Sequence, residues 1–595
     1  MTPPQPIQFG FDQAGRPTLM GWLHGAPLAK SPRVAAVICP PFGYEAICAQ
    51  RSLAALAAAF AGVGIPALRF DYHGTGDSAG DDLDPNRVAA WQASVNAAIS
   101  QVRTMPGIAT VAVVGLRLGA LLAATVAATR QDVFAVVAIA PVVQGKAYVR
   151  ELRALQMALG LAAPPADLRW TPPAREAVGF ALTDATSADL SALMMPTQHA
   201  VAPHVLLIDR SDMSIGTAWP ASQRSNAVHV VVHSFGGYAE MMLDPHKVQV
   251  PTAMIDGVVG WIAQVTADSD LSSAPADEAA AAPLLVASVA SENPVFIPGV
   301  TKLFGVTTKP LHGADRSTRG ARHAVLMLNA GAVHHIGPNR LYVALARRLA
   351  DQGIASLRLD IAGIGDSRAA TMDRENIVYP PGAIDDVQRA ITFLQRDYQE
   401  VSVLGLCAGG YHGFKAAVAG ALVQRAVIIN PLTYFWSEGM SLDRPEAAVV
   451  GQAQDYQESM LSLDKWRKVL RGDVDVRYVA NVMSRRLQQR AQHTSRELVR
   501  RFGIRWGDDL GYEIATTSKR GIALNFVFAK GDPGLAMLHE QAGRAVRQAL
   551  HNGTVTIDVI SGADHTFTAC WTHELLLTTL MQRLVPTSAT ARGAR

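Results

Sequence analysis

The chain repeats itself, and that restricts its fold more than any other feature. Residues 34–78 contain Val-Ala-Ala-Val-Ile-Cys-Pro-Pro-Phe-Gly and, later, Leu68-Arg69-Phe70-Asp71-Tyr72-His73-Gly74-Thr75-Gly76-Asp77-Ser78. Residues 323–367 contain His-Ala-Val-Leu-Met-Leu-Asn-Ala-Gly and, later, Leu357-Arg358-Leu359-Asp360-Ile361-Ala362-Gly363-Ile364-Gly365-Asp366-Ser367. The offset is 289 between Asp71 and Asp360, and 290 both between Gly115 and Gly405 and between Gly119 and Gly409. A register this steady marks a duplication. Each copy alternates apolar strand-like runs with helical patterns, which predicts an α/β fold with a mainly parallel sheet and helices on its faces. With 595 residues the chain is too long for one core, so two such domains are expected.

Between the copies, 266–283 is rich in Ala, Ser, Asp and Pro and reads as a linker; the tail 586–595 reads as disordered. The domains expected are therefore 1–265 and 284–585. Apolar residues make up 49% of the chain and charged ones 17%, a folded composition. A net charge of +3 gives no general case for nucleic acid as a partner. The four cysteines, Cys39, Cys48, Cys407 and Cys570, form neither a disulfide framework nor a zinc pattern, and no metal or cofactor is expected. The N-terminus lacks a signal-peptide pattern, and no apolar run reaches a membrane-spanning length, so a cytoplasmic location is expected.

Gly405-Leu406-Cys407-Ala408-Gly409 follows the strand-like Val401-Ser402-Val403-Leu404 and precedes a helix-like run. Strand, sharp turn and helix with small residues at −2 and +2 is the setting of a nucleophile elbow, here carrying a thiol. A thiol beside a base at a helix N-terminus is suited to acyl chemistry. A Gly-flanked cysteine opening a helix is also a good packing residue, so the assignment depends on partners.

With the repeat and the elbow in view, both halves resemble α/β-hydrolase domains of the serine-aminopeptidase-like branch. The Gly-Leu-Arg-Leu-Gly-Ala of the first half and the Gly-Leu-Cys-x-Gly of the second are similar to two hydrolase types associated with bacterial exosortase A systems. The resemblance implies the chain order nucleophile, acid, histidine. Asp532 lies after the run Leu524-Asn525-Phe526-Val527-Phe528-Ala529, where the acid belongs, and His565 lies in Asp-His-x-Phe, which matches the family's histidine loop. In that reading His565 takes the thiol proton and Asp532 fixes its tautomer. Asp564 is the weaker alternative partner. The oxyanion would be met by the N–H of Ala408 and by one from the loop Asn329-Ala330-Gly331-Ala332, with Gly331 the better choice. His334 and His335 beside that loop read as packing or solvated residues before substrate binders. The runs ending at Ser78 and Ser367 read as turn chemistry.

The same register places Arg117 at the first elbow, Asp212 at the acid and Tyr238 at the histidine. A guanidinium cannot attack a carbonyl, so this copy reads as a pseudo-enzyme that packs against or regulates the second. Arg117 is expected to pair with Asp212, or else to bind an anionic substrate group; His233 is a weak stand-in for the histidine. The resemblance also implies a helical cap between elbow and acid, about 142–200 in the first half and about 431–518 in the second. In the second cap Tyr434 and Trp436 are candidate walls of an apolar substrate pocket. Residues 465–505 carry twelve Lys/Arg against three acids, which is a solvated face or a surface for an anionic coenzyme A or carrier-protein-linked substrate.

The leading expectation is an ester or thioester hydrolase using Cys407, His565 and Asp532 through an acyl-cysteine. An acyltransferase through the same intermediate is the runner-up, since Gly-x-Cys-x-Gly also resembles the box of polyhydroxyalkanoate synthases. A non-catalytic binding protein is the third reading, and an intact triad argues against it.

Overall fold

The computed structural model describes residues 4–12, 15–25, 34–165, 175–268, 290–310, 322–440, 442 and 507–585. The chain divides into two compact units. One comprises Met1–Pro294, Ile336–Arg347 and Thr568–Trp571; the other comprises Val295–His335, Arg348–Phe567 and Thr572–Arg595. Most of the expected linker, most of the second cap, the basic stretch 465–505 and the tail 586–595 lie outside the described residues. The first three linker residues belong instead to the helix Thr252–Asp268, whose last turns bury Val265 and bond Thr266 Oγ1 to the Ile262 carbonyl at 2.7 Å.

The first unit is built on strands β1 (Gln5–Phe11), β2 (Pro17–His24), β3 (Val34–Cys39), β4 (Ala67–Phe70), β5 (Thr110–Leu116) and β6 (Val133–Ile139). A short hairpin of β7 (Arg175–Ala177) and β8 (Phe180–Leu182) follows, then β9 (His204–Arg210) and β10 (His229–Phe235). The main sheet runs β1-β2-β4-β3-β5-β6-β9-β10. Only β2 against β1 and against β4 is antiparallel; from β4 to β10 every pairing is parallel. Strands β3, β5 and β6 are buried at every residue, which explains why they read as unbroken apolar runs without alternation.

A second set of strands repeats this order: β11 (Ala290–Ile297), β12 (Leu303–Pro310), β13 (His323–Leu328), β14 (Ala355–Leu359), β15 (Glu400–Leu406), β16 (Arg425–Ile429), β17 (Ala523–Ala529) and β18 (Val555–Ile560). Its sheet runs β11-β12-β14-β13-β15-β16-β17-β18, with β12 antiparallel to β14 and the rest from β14 onward parallel. Helices flank both sheets, as the alternating pattern predicts.

The first cap differs from the all-helical expectation. Helices Gly145–Ala158 and Asp184–Ala192 are joined by the β7–β8 hairpin as well as by residues outside the described set. Val178 and Gly179, the two residues between the paired Ala177 and Phe180, have φ of 52° and 83°. A two-residue loop with positive φ at both positions matches the twist of a hairpin.

The turns ending in serine are alike in both units. Asp71 Oδ2 accepts the Asp77 amide at 3.0 Å, and Ser78 donates to the Asp71 carbonyl at 2.7 Å. Asp360 Oδ2 accepts the Asp366 amide at 3.0 Å, and Ser367 donates to the Asp360 carbonyl at 2.6 Å. A Cβ on Gly76 or Gly365 would strike the carboxylate of Asp71 or Asp360, so each glycine makes room for the acid that organises its turn.

The two elbows show how little space the fold leaves. A Cβ on Gly405 would lie 2.1 Å from the carbonyl carbon of Gly409, and one on Gly409 would lie 2.6 Å from the Leu328 carbonyl oxygen on β13. In the first unit a Cβ on Gly119 would lie 2.2 Å from the Cys39 carbonyl oxygen. The obstacle is backbone in each case, so no rotamer change relieves it. Gly405→Ala is therefore expected to destabilise the second unit by about 3 kcal/mol, measured by urea denaturation, because overpacking of this kind forces backbone movement.

Candidate active site

Cys407 sits between β15 and the helix Ala408–Val418 at φ 57°, ψ −118°. Positive φ is uncommon for a residue with a Cβ, and it persists here because the glycines on either side fix the crossing. The Cys407 amide donates to the Ile429 carbonyl of β16 at 2.8 Å, which holds the turn against the sheet. The residue is 8% exposed and its thiol is free.

Asp532 opens the helix Pro533–His551 as its N-cap, and its Oδ1 accepts the Gly534 amide at 2.9 Å. Its other oxygen accepts from His565 Nδ1 at 2.7 Å. The Asp532 side chain is 2% exposed and that of His565 30% exposed. Asp564 bonds with the Thr566 hydroxyl and is not the ring's partner. His565 Nε2 is buried, with the Cys407 thiol as its neighbour. Burial alone would lower the imidazole pKa, but the Asp532 hydrogen bond and the neighbouring Cys407 sulfur outweigh it and bring the ring up to about 10. The structure therefore brings Cys407, His565 and Asp532 together from the ends of β15, β18 and β17.

Asn430 holds this arrangement and was not singled out from the sequence. It is fully buried, with φ 42°, at the end of β16. Its Nδ2 donates to the His565 carbonyl at 2.7 Å, and its Oδ1 accepts the Ala529 amide at 2.8 Å. One side chain thus ties the histidine loop to the strand that delivers Asp532. Asn-Pro after a strand reads as a turn, and only the long-range partners show its role.

Ala408 is the first residue of its helix, so its N–H has no intrahelical acceptor. Gly331 lies in the loop after β13 at φ 60°, and a Cβ there would meet nothing within 4 Å. Backbone conformation, not crowding, accounts for this glycine. The loop is anchored by Asp360. Its Oδ1 accepts Asn329 Nδ2 at 2.8 Å and the His335 amide at 2.7 Å, and its Oδ2 accepts His335 Nδ1 at 2.7 Å. Burial alone would raise the Asp360 carboxyl, but the His335 ring and these hydrogen bonds hold it below the usual range. His335 is therefore a buried structural residue, as expected of it.

Trp436 stacks on Tyr379 with ring centroids 4.2 Å apart, in a cluster that includes Ala408. Tyr434 does not line that cluster. It is 1% exposed, packs against Phe414 and Phe526 in the core, and its hydroxyl donates to the Gly534 carbonyl at 3.3 Å.

The first elbow keeps the backbone geometry with arginine in place of cysteine. Arg117 has φ 54° and ψ −119°. It does not pair with Asp212: Nε donates to Glu45 at 2.7 Å and a terminal nitrogen to Glu151 at 2.6 Å. Asp212 is instead held by Arg210 at 2.6 Å, with its side chain 57% exposed. Two carboxylates therefore already balance the charge of this buried guanidinium. Tyr238 lies on the same network, its hydroxyl 3.4 Å from Glu45, while Tyr148 donates to Glu45 at 2.9 Å. His233 is exposed on the edge strand β10 and takes no part.

Residues 45–274 match the family described as Serine aminopeptidase, S33. That stretch holds the elbow with arginine, not the one with cysteine. Among solved structures, the chain is similar to an alpha-beta serine hydrolase homologue from Coxiella burnetii, at 13% identity and a TM-score of 0.28, covering 51% of this chain and 100% of that one. It is also similar to Est1E from Butyrivibrio proteoclasticus, a structure with ferulic acid bound, at 14% identity and a TM-score of 0.33, covering 44% and 98%. A putative hydrolase from Agrobacterium vitis S4 matches at 18% identity and a TM-score of 0.29, covering 44% and 98%. No curated protein matches the chain in sequence. No helix among the described residues is long and apolar enough to cross a membrane.

Two consequences are measurable. Arg117→Ala leaves Glu45, whose side chain is only 17% exposed, without its cation and should cost the first unit on the order of 3 kcal/mol in chemical denaturation. The imidazole of His565 has a folded pKa of about 10 against an ordinary 6.5. Its contribution to stability is thus complete below about pH 6.5 and is lost as pH rises through about 10. The stability difference between the wild type and His565→Gln, followed by denaturation from pH 6 to 10.5, should shrink across that window.

Proposed function

We propose that this α/β-hydrolase superfamily protein cleaves an ester or thioester through an acyl-cysteine on Cys407, and that its first unit is a non-catalytic copy. The observation that carries the reading is the 2.7 Å bond from His565 Nδ1 to Asp532, with the buried Nε2 left to serve the thiol.

The steps follow from that arrangement. With the ring held up to about 10, the proton given up by Cys407 already rests on Nε2; the sulfur forms a bond to the carbonyl carbon, and the carbonyl π electrons move to its oxygen. Asp532 keeps the Nδ1 proton in place and stabilises the imidazolium. The N–H groups of Ala408 and Gly331 receive the oxyanion. Collapse breaks the bond to the leaving alcohol or thiol, which departs with the proton from Nε2. Water, giving its proton to the same nitrogen, then releases the acid and restores the thiol. In the first unit, Arg117 offers no nucleophile, and its ion pairs with Glu45 and Glu151 support a purely architectural elbow.

The test is intact-mass analysis after rapid mixing with p-nitrophenyl and acyl-thioester substrates. The wild type should gain one acyl group, Cys407→Ala none, and Arg117→Ala as much as the wild type. His565→Ala should slow acylation on the order of 10⁴-fold. Turnover that survives Cys407→Ala would overturn the reading.

A further inference from the structure

Tyr379 has a buried hydroxyl with no partner among the described residues, beside the residues assigned to the oxyanion. It is 5% exposed, and its Oη makes no hydrogen bond among the described residues. A phenol in that state forgoes a hydrogen bond it would have in water, a cost that folded chains seldom carry without use. The ring is held on three sides: stacked on Trp436 at 4.2 Å, and edge-on to Tyr411 at 5.2 Å and His412 at 5.6 Å. Its orientation is therefore set by packing and not by any bond of its hydroxyl.

The surroundings point to what the hydroxyl meets. Tyr379 shares one buried cluster with Ala408, and Ala332, the residue after Gly331, packs against it. The ring thus lies with the neighbours of both proposed oxyanion donors. Burial foremost, then the side chains of Cys407 and Tyr411, push the phenol well above its ordinary pKa, so it carries its proton at any working pH. His412 does not compete for that proton as a charged group, because burial pushes its imidazole down to about 3.

Resting on the acyl-cysteine reading above, we infer that the Tyr379 hydroxyl donates a hydrogen bond to the acyl carbonyl oxygen of the substrate at Cys407, as a third donor to the oxyanion. The bond strengthens as negative charge develops on that oxygen, so it acts on kcat more than on KM. The same ring, with Trp436, forms an aromatic wall next to the reacting carbon.

The experiment compares wild type and Tyr379→Phe with p-nitrophenyl butyrate, following kcat, KM and the acyl adduct on Cys407. Alkylation of Cys407 by iodoacetamide is measured in parallel across pH. Loss of one such donor should lower kcat on the order of 100-fold while KM moves less than about 3-fold. The alkylation rate and its pH profile should stay as in the wild type. Replacing Tyr379 with 3-fluorotyrosine keeps the ring and sharpens the donor, and should not lower kcat; this separates the hydroxyl from any effect of packing. Equal kcat in Tyr379→Phe and wild type overturns the inference and leaves the acyl-cysteine reading intact. A shifted alkylation profile in Tyr379→Phe also overturns it, since the hydroxyl would then serve the thiolate. A wild type that forms no adduct on Cys407 removes both.

Discussion

The close crossing of strand β15 and the helix Ala408–Val418 is the constraint on which the second unit depends. No side chain fits at Gly405 or Gly409, so the chain must reverse over a single residue, and that residue is driven to positive φ. Whatever stands there is presented at the tip of the turn beside the first free amides of a helix. The first unit shows that this is a property of the fold and not of the residue at the tip. Arg117 and Cys407 differ by only 3° in φ and 1° in ψ, with no chemistry in common.

Around that turn, each polar group does two jobs. Asp532 caps a helix with one oxygen and holds His565 with the other, so the acid is fixed before any substrate arrives. Asn430 spans β17 and the histidine loop with its two ends. Asp360 gathers the Asn329 amide, both donors of His335 and the Asp366 amide, and so sets the loop that carries Gly331. With this many hydrogen bonds and the His335 ring beside it, the Asp360 carboxyl is held below the usual carboxylate range despite its burial. The cost of orienting the site is met in folding, which is what electrostatic preorganisation requires.

The repeat, the two elbows and the sheet class follow from local patterns, because glycine spacing and apolar runs are written into neighbouring residues. Cys407, Asp532 and His565 are readable for the same reason: each ends a strand-like run in a fixed order. The groups that surround them are not. Glu45 and Glu151 reach Arg117 from 72 and 34 residues away, so the sequence offered Asp212 as a partner by register alone, while a local Arg210 had already taken it. Tyr434 and Trp436 are two residues apart and equally aromatic, yet one enters the core and the other meets Tyr379. Burial of an aromatic side chain depends on packing between distant segments, and no spacing rule distinguishes these two.

The carboxylates around Arg117 set surroundings that do not suit a thiol. Cysteine placed at position 117 would leave Glu45 and Glu151 beside it, with Tyr148 and Tyr238 still pointing at Glu45. Negative charge beside a thiol favours its protonated, unreactive form. The surroundings would oppose the very ionisation that a nucleophile needs, and the network would have lost the cation that balances Glu45 and Glu151. One backbone turn thus carries two opposite electrostatic settings, one built to hold a cation and one that places an imidazole beside a thiol.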